Sequence, residues 1–429
     1  MAKVRRIPLG GEPGTQKIEI PDRVSVELAS LAGKAHQGLL AFAVGVGLQV
    51  FHTLLEEDVA RIAGPKGRHD PAGRAAYRHG DQESSVTLGG RKVGVVRPRV
   101  RGIAGGELAL PTWAAFAGEE LLSDQTMACL LAGVSTRNYE TTLEPVGDDL
   151  SASSTSRSAA SRRFVARTAK ALAELMAKDL SGLSICALFA DGIEEGDHLM
   201  VCAIGVDTEG RKHLLGLREG TTENKAVCAS LLSDLIGRGL DFSRGILCVI
   251  DGGKGLRAAV REVFGLLGLV HRCRVHKRRN VLDHLPKETQ PIVGRKLDAA
   301  WAKADPALAL AALKALATWL EADHPGAAAS LREGMEETLT VTRLGLPAAL
   351  TRTLSSTNPI ESAFSVAREV MGKVKRWRDG AMVVRWTAAG LEVAQSKFRR
   401  IKGFREMPIL IEKLSGIAAE SGATCGKVA

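Results

Sequence analysis

Three acidic residues, Asp191, Asp251 and Glu361, occupy positions where a carboxylate is costly unless it faces water or a cation. Asp191 closes the apolar run of residues 183–190, and Asp251 closes the apolar run of residues 245–250. Glu361 opens a long helical pattern in the stretch TNPIESAFSVAREV. If two strand ends and this helix converge, the three carboxylates supply hard oxygen ligands for divalent metal ions. A pair of such ions is suited to hydrolysis or transfer of phosphodiesters.

Each acid also has a purely structural explanation. Asp191 and Asp251 both precede a glycine, and Asp-Gly is an ordinary turn signal. Asn358 as N-cap, Pro359 at the first helical position and Glu361 at the third form a good helix start. Only the occurrence of all three together favours the catalytic interpretation.

A second cluster, HRCRVHKRRN, spans residues 271–280. Cys273 and His276 have the CxxH spacing of a zinc pair, but no second pair follows at finger-like distance, so a structural zinc is not expected. A buried cysteine and a histidine that orients a phosphate or a metal-bound carboxylate fit better beside a strand end. Lys277, Arg278 and Arg279 are predicted phosphate contacts, with a solvated run of charge as the alternative.

Size and composition limit the class of protein. A chain of 429 residues has room for two or three domains, and a formal charge of +10 with pI near 9.3 favours polyanionic partners. The seven cysteines are odd in number and scattered, which is typical of a reducing cytoplasm. The basic N-terminus lacks the apolar core of a signal peptide, and the apolar residues 39–50 are too few to cross a bilayer. We therefore expect a cytoplasmic protein.

The N-terminal part divides into residues 1–110 and 111–182. In the first region a helical pattern over 22–62 ends at Gly64-Pro65, and basic β-like runs follow, in which Pro98 predicts an edge strand. The second region has two helical stretches around a short turn at residues 133–135, a pattern typical of a helix-turn-helix DNA reader. The candidate DNA contacts on its second stretch are Arg162, Arg163 and Arg167. A solvated basic helix of a bundle explains the same pattern.

From residue 183 the pattern changes to β-β-β-α-β-α-β, with a hairpin at residues 198–217, which predicts an α/β domain. The first part of this domain covers 183–276, a purely helical block covers 277–345, and the helices that complete the domain cover 346–408. Residues 409–429 are expected to form a C-terminal tail. Lys375, Arg376 and Arg378 alternate with Trp377 in a segment suited to a DNA backbone, although amphipathic helix packing explains the aromatic residues equally well.

The order of these motifs resembles that of the Mutator-type transposases of bacterial insertion sequences. The likeness covers about residues 77–408. It is carried by the stretches LSGLSICALFADGIEEGDHLMVCAIGVDTEGRKHLLGLREGTTEN, DLIGRGLDFSRGILCVIDGGKGLRAAV, HRCRVHKRRNVLDHLP, STNPIESAFSVAREV and VKRWRDGAMVVRWTAAGL.

The resemblance implies a fold and a set of roles. The α/β domain would be an RNase H-like mixed sheet interrupted by an all-α insertion, preceded by a mainly helical DNA-binding region. Asp191, Asp251 and Glu361 would be the catalytic DDE triad and the ligands of Mg²⁺ or Mn²⁺. Cys273 and His276 would fall on the CxxH motif that supports the active site, and Trp301 would lie in the insertion.

The same resemblance implies partners and chemistry. The chain would bind double-stranded DNA, both the terminal inverted repeats of a mobile element and its target, as a homo-oligomer such as a dimer on paired ends. Water would cleave a strand, and the freed 3′-hydroxyl would then attack target DNA without a covalent protein–DNA intermediate. The alternatives are a catalytically decayed DNA-binding repressor and an RNase H-like nuclease or resolvase that cuts without joining.

Overall fold

A computed structural model describes residues 39–67, 75–88, 91–116, 127–132, 134, 152–153, 156–220 and 224–422. The chain divides into two compact units, residues 1–167 and residues 168–429. Among the described residues no helix has the length and apolarity needed to cross a membrane.

The first unit packs one long helix on a small antiparallel sheet. Its elements are α1 (Leu39–Ala63), β1 (Ala76–Leu88), β2 (Arg91–Gly102), β3 (Glu107–Leu108), α2 (Pro111–Phe116) and β4 (Ala152–Ser153). α1 buries Val44, Leu48, Phe51, Leu55 and Val59, whose spacing of three or four residues makes one apolar face. The predicted helix ending at Gly64 is confirmed for its described part, whereas residues 22–38 lie outside the described residues.

The prediction that Pro98 marks an edge strand holds at Pro98 itself, where β2 pairs only with β1, but not for β2 as a whole. β2 pairs with β1 on one side and with β3 and β4 on the other. Pro98 is tolerated because it lies between the stretches that pair with β3 and β4, and opposite the register shift between Arg78 and Asp81 of β1.

The predicted helix-turn-helix falls mostly on residues 117–126 and 135–151, which lie outside the described residues. Residues 127–131 are helical, and the basic stretch forms α3 (Arg157–Ala177), which crosses the division between the two units. The geometry of a DNA-reading turn therefore stays a prediction.

The second unit is built on a mixed five-stranded sheet in the order β7-β6-β5-β8-β9. Its strands are β5 (Ile185–Glu195), β6 (His198–Asp207), β7 (Lys212–Gly220), β8 (Ile246–Ile250) and β9 (Gly268–Arg272). β5, β6 and β7 are antiparallel, which confirms the predicted hairpin, and β5, β8 and β9 are parallel. The succession β-β-β-α-β-α-β is also confirmed, with α4 (Lys225–Gly237) and α5 (Lys254–Phe264) between the later strands.

Both faces of this sheet are covered, so its central strands are apolar without alternation. In β5, Ala187, Phe189 and Ile193 face one core, which is closed by α12 (Asn358–Met371), α13 (Gly380–Ser396) and α14 (Met407–Glu420). Leu188 and Ala190 face the opposite core, against α4 and α5.

Between β9 and α12 the described structure is helical throughout. The helices are α6 (Arg274–Leu282), α7 (Gln290–Trp301), α8 (Pro306–Glu321), α9 (Pro325–Arg332), α10 (Thr340–Arg343) and α11 (Ala348–Leu354). Prolines in the first turns of α7, α8 and α9 start these helices, since their missing N–H groups would have no helical partner there. α6 begins three residues before the predicted boundary.

His271, at the end of β9, is fully buried, and burial lowers its pKa to about 3. Nδ1 accepts the N–H of Val341 at 3.5 Å, and the lowered pKa keeps the ring neutral. Because the unfolded chain takes up a proton near pH 6.5 and the folded chain does not, stability falls as pH falls below that value.

We expect this histidine alone to remove about 2 kcal/mol of unfolding free energy between pH 7 and pH 5. His271→Asn, whose Oδ1 can accept the same N–H, should flatten the acid loss measured by urea unfolding. The exposed His284→Asn is the matched control and should keep the wild-type slope. An unchanged slope in His271→Asn would contradict the assignment.

Candidate active site

Asp191 lies inside β5 and not at its end, so the prediction that it closes a strand is wrong. The parallel pairing of β5 with β8 stops at the pair Ala190–Ile250, while β5 continues beside β6 to Glu195. Asp191 therefore lies just past the point where the neighbouring strand β8 ends. Its side chain is buried, and Oδ1 accepts the N–H of Gly192 at 2.8 Å.

Asp251 follows the last residue of β8 directly, as predicted. Its Oδ1 accepts the N–H of Gly253 at 2.8 Å, which fixes a tight turn. Gly252 between them has φ of +111°, and a Cβ atom there would clash with the guanidinium of Arg272. The Asp-Gly pair is thus a genuine turn signal here and also places a carboxylate at the sheet edge.

Glu361 lies in the first turn of α12. The predicted cap is wrong by one residue, because Thr357 and not Asn358 is the N-cap. Glu361 does not close a capping box, since its Oε1 instead accepts the hydroxyl of Thr357 at 2.8 Å. Its carboxylate is held toward the sheet edge.

Cys273 joins the end of β8 to the starts of α6 and α12. Its N–H donates to the carbonyl of Ile250 at 2.8 Å, which places it next to the end of β8. Its Sγ accepts the N–H groups of His276 at 3.5 Å and of Thr357 at 3.4 Å. Burial raises the pKa of this thiol, but the hydrogen bonds from His276 and Thr357 outweigh burial and leave the pKa below its ordinary value.

His276 bridges α6 and α12. Its Nδ1 lies 3.2 Å from Thr357 Oγ1, and its Nε2 lies 3.5 Å from Glu361 Oε1. The hydrogen bond with Cys273 raises the pKa of His276, burial opposes this, and the charges of Asp191 and Glu361 raise it further.

These elements bring Asp191, His276 and Glu361 together, with one ligand atom from each lying within 4.8 Å of the others. Among the described residues this is the one such group of His, Cys, Asp and Glu, and neither Asp251 nor Cys273 belongs to it. Asp251 is nevertheless close enough to act on Asp191. Burial, then the charge of Asp251, raise the pKa of Asp191 to about 7, with His276 opposing them and Glu361 adding to them.

The residues present fit a divalent cation. Carboxylate oxygens are the donors that Mg²⁺ and Mn²⁺ take up, and a histidine nitrogen suits Mn²⁺ as well. A buried carboxylate with other acids around it is destabilised unless positive charge is added. Asp191, Glu361 and His276 would hold such an ion, and the charge of Asp251 acts at the same place.

Thr357 is a site residue that the sequence analysis missed. It is fully buried, and its hydroxyl contacts Glu361, His276 and Cys273. The hydroxyl proton goes to Glu361, so the oxygen can accept Nδ1–H of His276. The usable signal was a threonine just before Asn-Pro, where a helix start favours Thr at the cap.

The remaining predicted residues fall into two groups. Lys277 is not a surface cation: it is fully buried, and Nζ donates to the carbonyl oxygens of Ser330 at 2.5 Å and Glu333 at 2.6 Å. Trp301 is likewise buried in the helical region, where its indole N–H donates to Thr338 Oγ1 at 3.1 Å. The others are at least partly exposed: Arg162, Arg163, Arg167, Arg278, Arg279, Lys375, Arg376 and Arg378.

Comparison with known proteins decides the family. The family model described as "Transposase, Mutator family" matches residues 29–399. The chain belongs to the Mutator family of transposases.

Relatives within this group are insertion sequence transposases. The chain is 34% identical over 176 residues to that of element IST2 from Acidithiobacillus ferrooxidans, covering 41% of this chain and 58% of the relative. It is 32% identical over 247 residues to that of element IS6120 from Mycolicibacterium smegmatis, covering 56% and 73%. It is 30% identical over 331 residues to that of element ISRM5 from Rhizobium meliloti, covering 73% and 77%. The chain thus spans less than two thirds of the first relative and about three quarters of the other two.

If this Mutator-family site holds a divalent ion, Mn²⁺ should raise the thermal midpoint of the full-length protein. An ion that binds only the folded state adds about 2.7 kcal/mol at one hundred times its dissociation constant. Asp191→Asn should lose the Mn²⁺-induced rise, and Asp323→Asn, an exposed acid in the helical region, should keep it. An equal rise in Asp191→Asn and the wild type would place the ion elsewhere.

Thr357→Val should lower the free energy of unfolding by about 1–3 kcal/mol, because Glu361 and His276 lose a buried hydrogen-bond partner. Thr357→Ser keeps the hydroxyl and should retain most of the stability and the wild-type affinity for Mn²⁺. Urea unfolding and Mn²⁺ titration measure the two effects. Equal losses in Ser and Val would show that the methyl group, and not the hydroxyl, matters.

Proposed function

We propose that the chain is a transposase that binds the inverted-repeat ends of a mobile element, cleaves DNA and joins the freed 3′-hydroxyl to target DNA. Membership of the Mutator family supports the general activity. The observation that carries the detailed proposal is the convergence of Asp191, Glu361 and His276 beside Asp251 at one sheet edge.

We propose that the second unit is RNase H-like. The supporting features are the strand order β7-β6-β5-β8-β9, the antiparallel start of the sheet and the parallel β5, β8 and β9. The acids stand on the central strands and on the first turn of the helix that follows the helical block, which serves as the all-α insertion.

In this proposal Asp191, Asp251 and Glu361 are the catalytic triad and the metal ligands. Bound Mg²⁺ or Mn²⁺ would supply activation of the attacking oxygen and stabilisation of the leaving oxygen. Thr357 and His276 keep the Glu361 carboxylate turned toward the two aspartates. The Sγ of Cys273 accepts main-chain N–H groups at the starts of α6 and α12 and so holds the two helix starts together. These contacts fix the spacing between His276 and Glu361.

The cations left at the surface are the proposed DNA contacts. Lys375, Arg376 and Arg378 lie between α12 and α13, in a segment fixed by Trp377, whose indole N–H donates to Glu195 at 3.1 Å. Glu195 is the last residue of β5, four positions beyond Asp191, so this basic segment contacts the far end of the strand that carries the acid. DNA leaving the acids along β5 would meet these three cations.

For the first unit we propose binding of the inverted-repeat ends through α3, with Arg162, Arg163 and Arg167 as contacts. Pairing two ends requires two copies, so we propose a homodimer as the minimal active assembly.

The deciding experiment follows a labelled DNA fragment carrying the sequences that flank the gene. Asp191→Asn, Asp251→Asn and Glu361→Gln should each reduce cleavage and joining by about three orders of magnitude or more. Binding of the same fragment should persist, because these acids contact no phosphate directly. Asp323→Asn is the matched control and should cleave as the wild type does.

Three outcomes separate the alternatives. Cleavage and joining of a 3′-hydroxyl end by the wild type support the transposase. Cutting without joining indicates a nuclease or resolvase, and binding without cutting indicates a decayed copy that acts as a repressor. Joining by any triad variant would refute the assignment of that residue.

A further inference from the structure

A cleft of about 860 Å³ lies next to the acids but is separate from them. Its walls come from α6, the end of α7 with the residues after it, α10 with the turn that follows it, and α11 with the segment that leads into α12. Its lining residues include Val275, Arg278, Lys303, Leu346, Arg352 and Asn358.

Two elements form a wall between the cleft and the acids. In the segment 355–358, Thr357 is buried and faces Cys273, His276 and Glu361, whereas the exposed Asn358 lines the cleft. In α6, His276 faces Glu361, whereas Val275 and Arg278 line the cleft. A DNA strand bound at the acids would therefore have to pass over only the start of one helix to reach the cleft.

The cleft carries net positive charge. Four cations line it against a single acid, Asp298: Arg274, Arg278, Lys303 and Arg352. Arg274 donates hydrogen bonds to Thr338 and Thr342, and Asp298 lies 3.4 Å from Nε of Arg278. Lys303 and Arg352 are exposed, and within the described part of the chain neither has an ion-pair partner. Two cations therefore remain available for an anionic ligand.

The cleft also has an apolar side. Val275 is 49% exposed, and the largely buried Leu346 lines the same cleft. Apolar surface beside cations suits a nucleotide, whose base is flat and whose phosphate is charged. The volume lies within the range of about 300–1,000 Å³ typical of small-ligand pockets, which is enough for one or two nucleotides.

We propose that this cleft binds a short single-stranded DNA segment adjoining the phosphate that is cut. Lys303 and Arg352 contact its phosphates, and Val275 and Leu346 contact a base. The proposal rests on the proposed function in that DNA is the substrate, and it adds a site where unpaired nucleotides are held during the reaction.

The test compares binding of the full-length protein to two DNA hairpins in EDTA, one blunt and one with an oligothymidylate tail. The wild type should bind the tailed hairpin more tightly. In Lys303→Ala/Arg352→Ala the preference should vanish. The magnitude of the slope of log affinity against log salt for the tailed probe should fall by about 1.4, because each of the two lost single-strand phosphate contacts contributes about 0.7. The salt slope for the blunt hairpin should not change.

Lys287→Ala/Lys413→Ala is the matched control, since it removes two exposed lysines that do not line the cleft. It should keep both the preference and the slope. A tail carrying 5-iodouracil should also cross-link on irradiation to peptides of α6 or of residues 342–358.

Loss of the tail preference in the cleft variant alone supports the proposal. No preference in the wild type, a preserved preference in the cleft variant or cross-links confined to other segments would overturn it. Because binding is measured without metal, it does not depend on cleavage. A tail preference in a protein that neither cuts nor joins would refute the transposase and leave the cleft assignment standing.

Discussion

The buried carboxylate of Asp191 lies close to two other acids, the half-buried Asp251 and Glu361, and the surrounding structure holds the three together. Burial and the charge of Asp251 raise the pKa of Asp191 to about 7, and His276 is the nearby group that opposes this. The sheet core fixes the first two acids, since β5 and β8 are buried on both faces. Glu361 is fixed by polar contacts instead, through Thr357 and His276. The site is therefore rigid on its strand side and dependent on a hydrogen-bond network on its helix side.

Three cations behind this edge, Arg272, Arg274 and Lys277, donate hydrogen bonds inside the protein, although Lys277 was predicted to contact phosphate. Arg272 donates to the carbonyl of Glu333, Arg274 to the carbonyls of Thr338 and Trp301, and Lys277 to those of Ser330 and Glu333. Carbonyl oxygens satisfy their donors and offset part of the cost of burial. Burial, with Arg272 nearby, lowers the pKa of Lys277 to about 8, so this charge is held at some cost. These contacts attach the helical block to the end of β9.

The elements that local patterns specify were predictable. Apolar runs gave the strands and their order, and Asp251 followed its strand as expected because β8 pairs only over its apolar residues. The prediction that β5 ends at Asp191 was wrong because the apolar run ends where the pairing with β8 ends. The strand itself continues, paired with β6. Lys277 was misassigned because a run of four basic residues does not reveal which side chain points into the helical block. Thr357 was not predicted because its role depends on contacts with Cys273, His276 and Glu361. The first two are distant from it in sequence, and only the fold brings them together.

α6 shows why such a short run cannot be interpreted residue by residue. Its successive side chains diverge by the helical rotation, so Val275, His276 and Lys277 face three different environments. Val275 lines the cleft, His276 faces the acids, and Lys277 anchors the helix to the end of α9. Arg278, one turn after Arg274, returns to the cleft. One helix thus fixes the spacing between the acids, the cleft and the helical block. Loss of the Lys277 anchor would move His276 and the cleft wall together, although Lys277 touches neither.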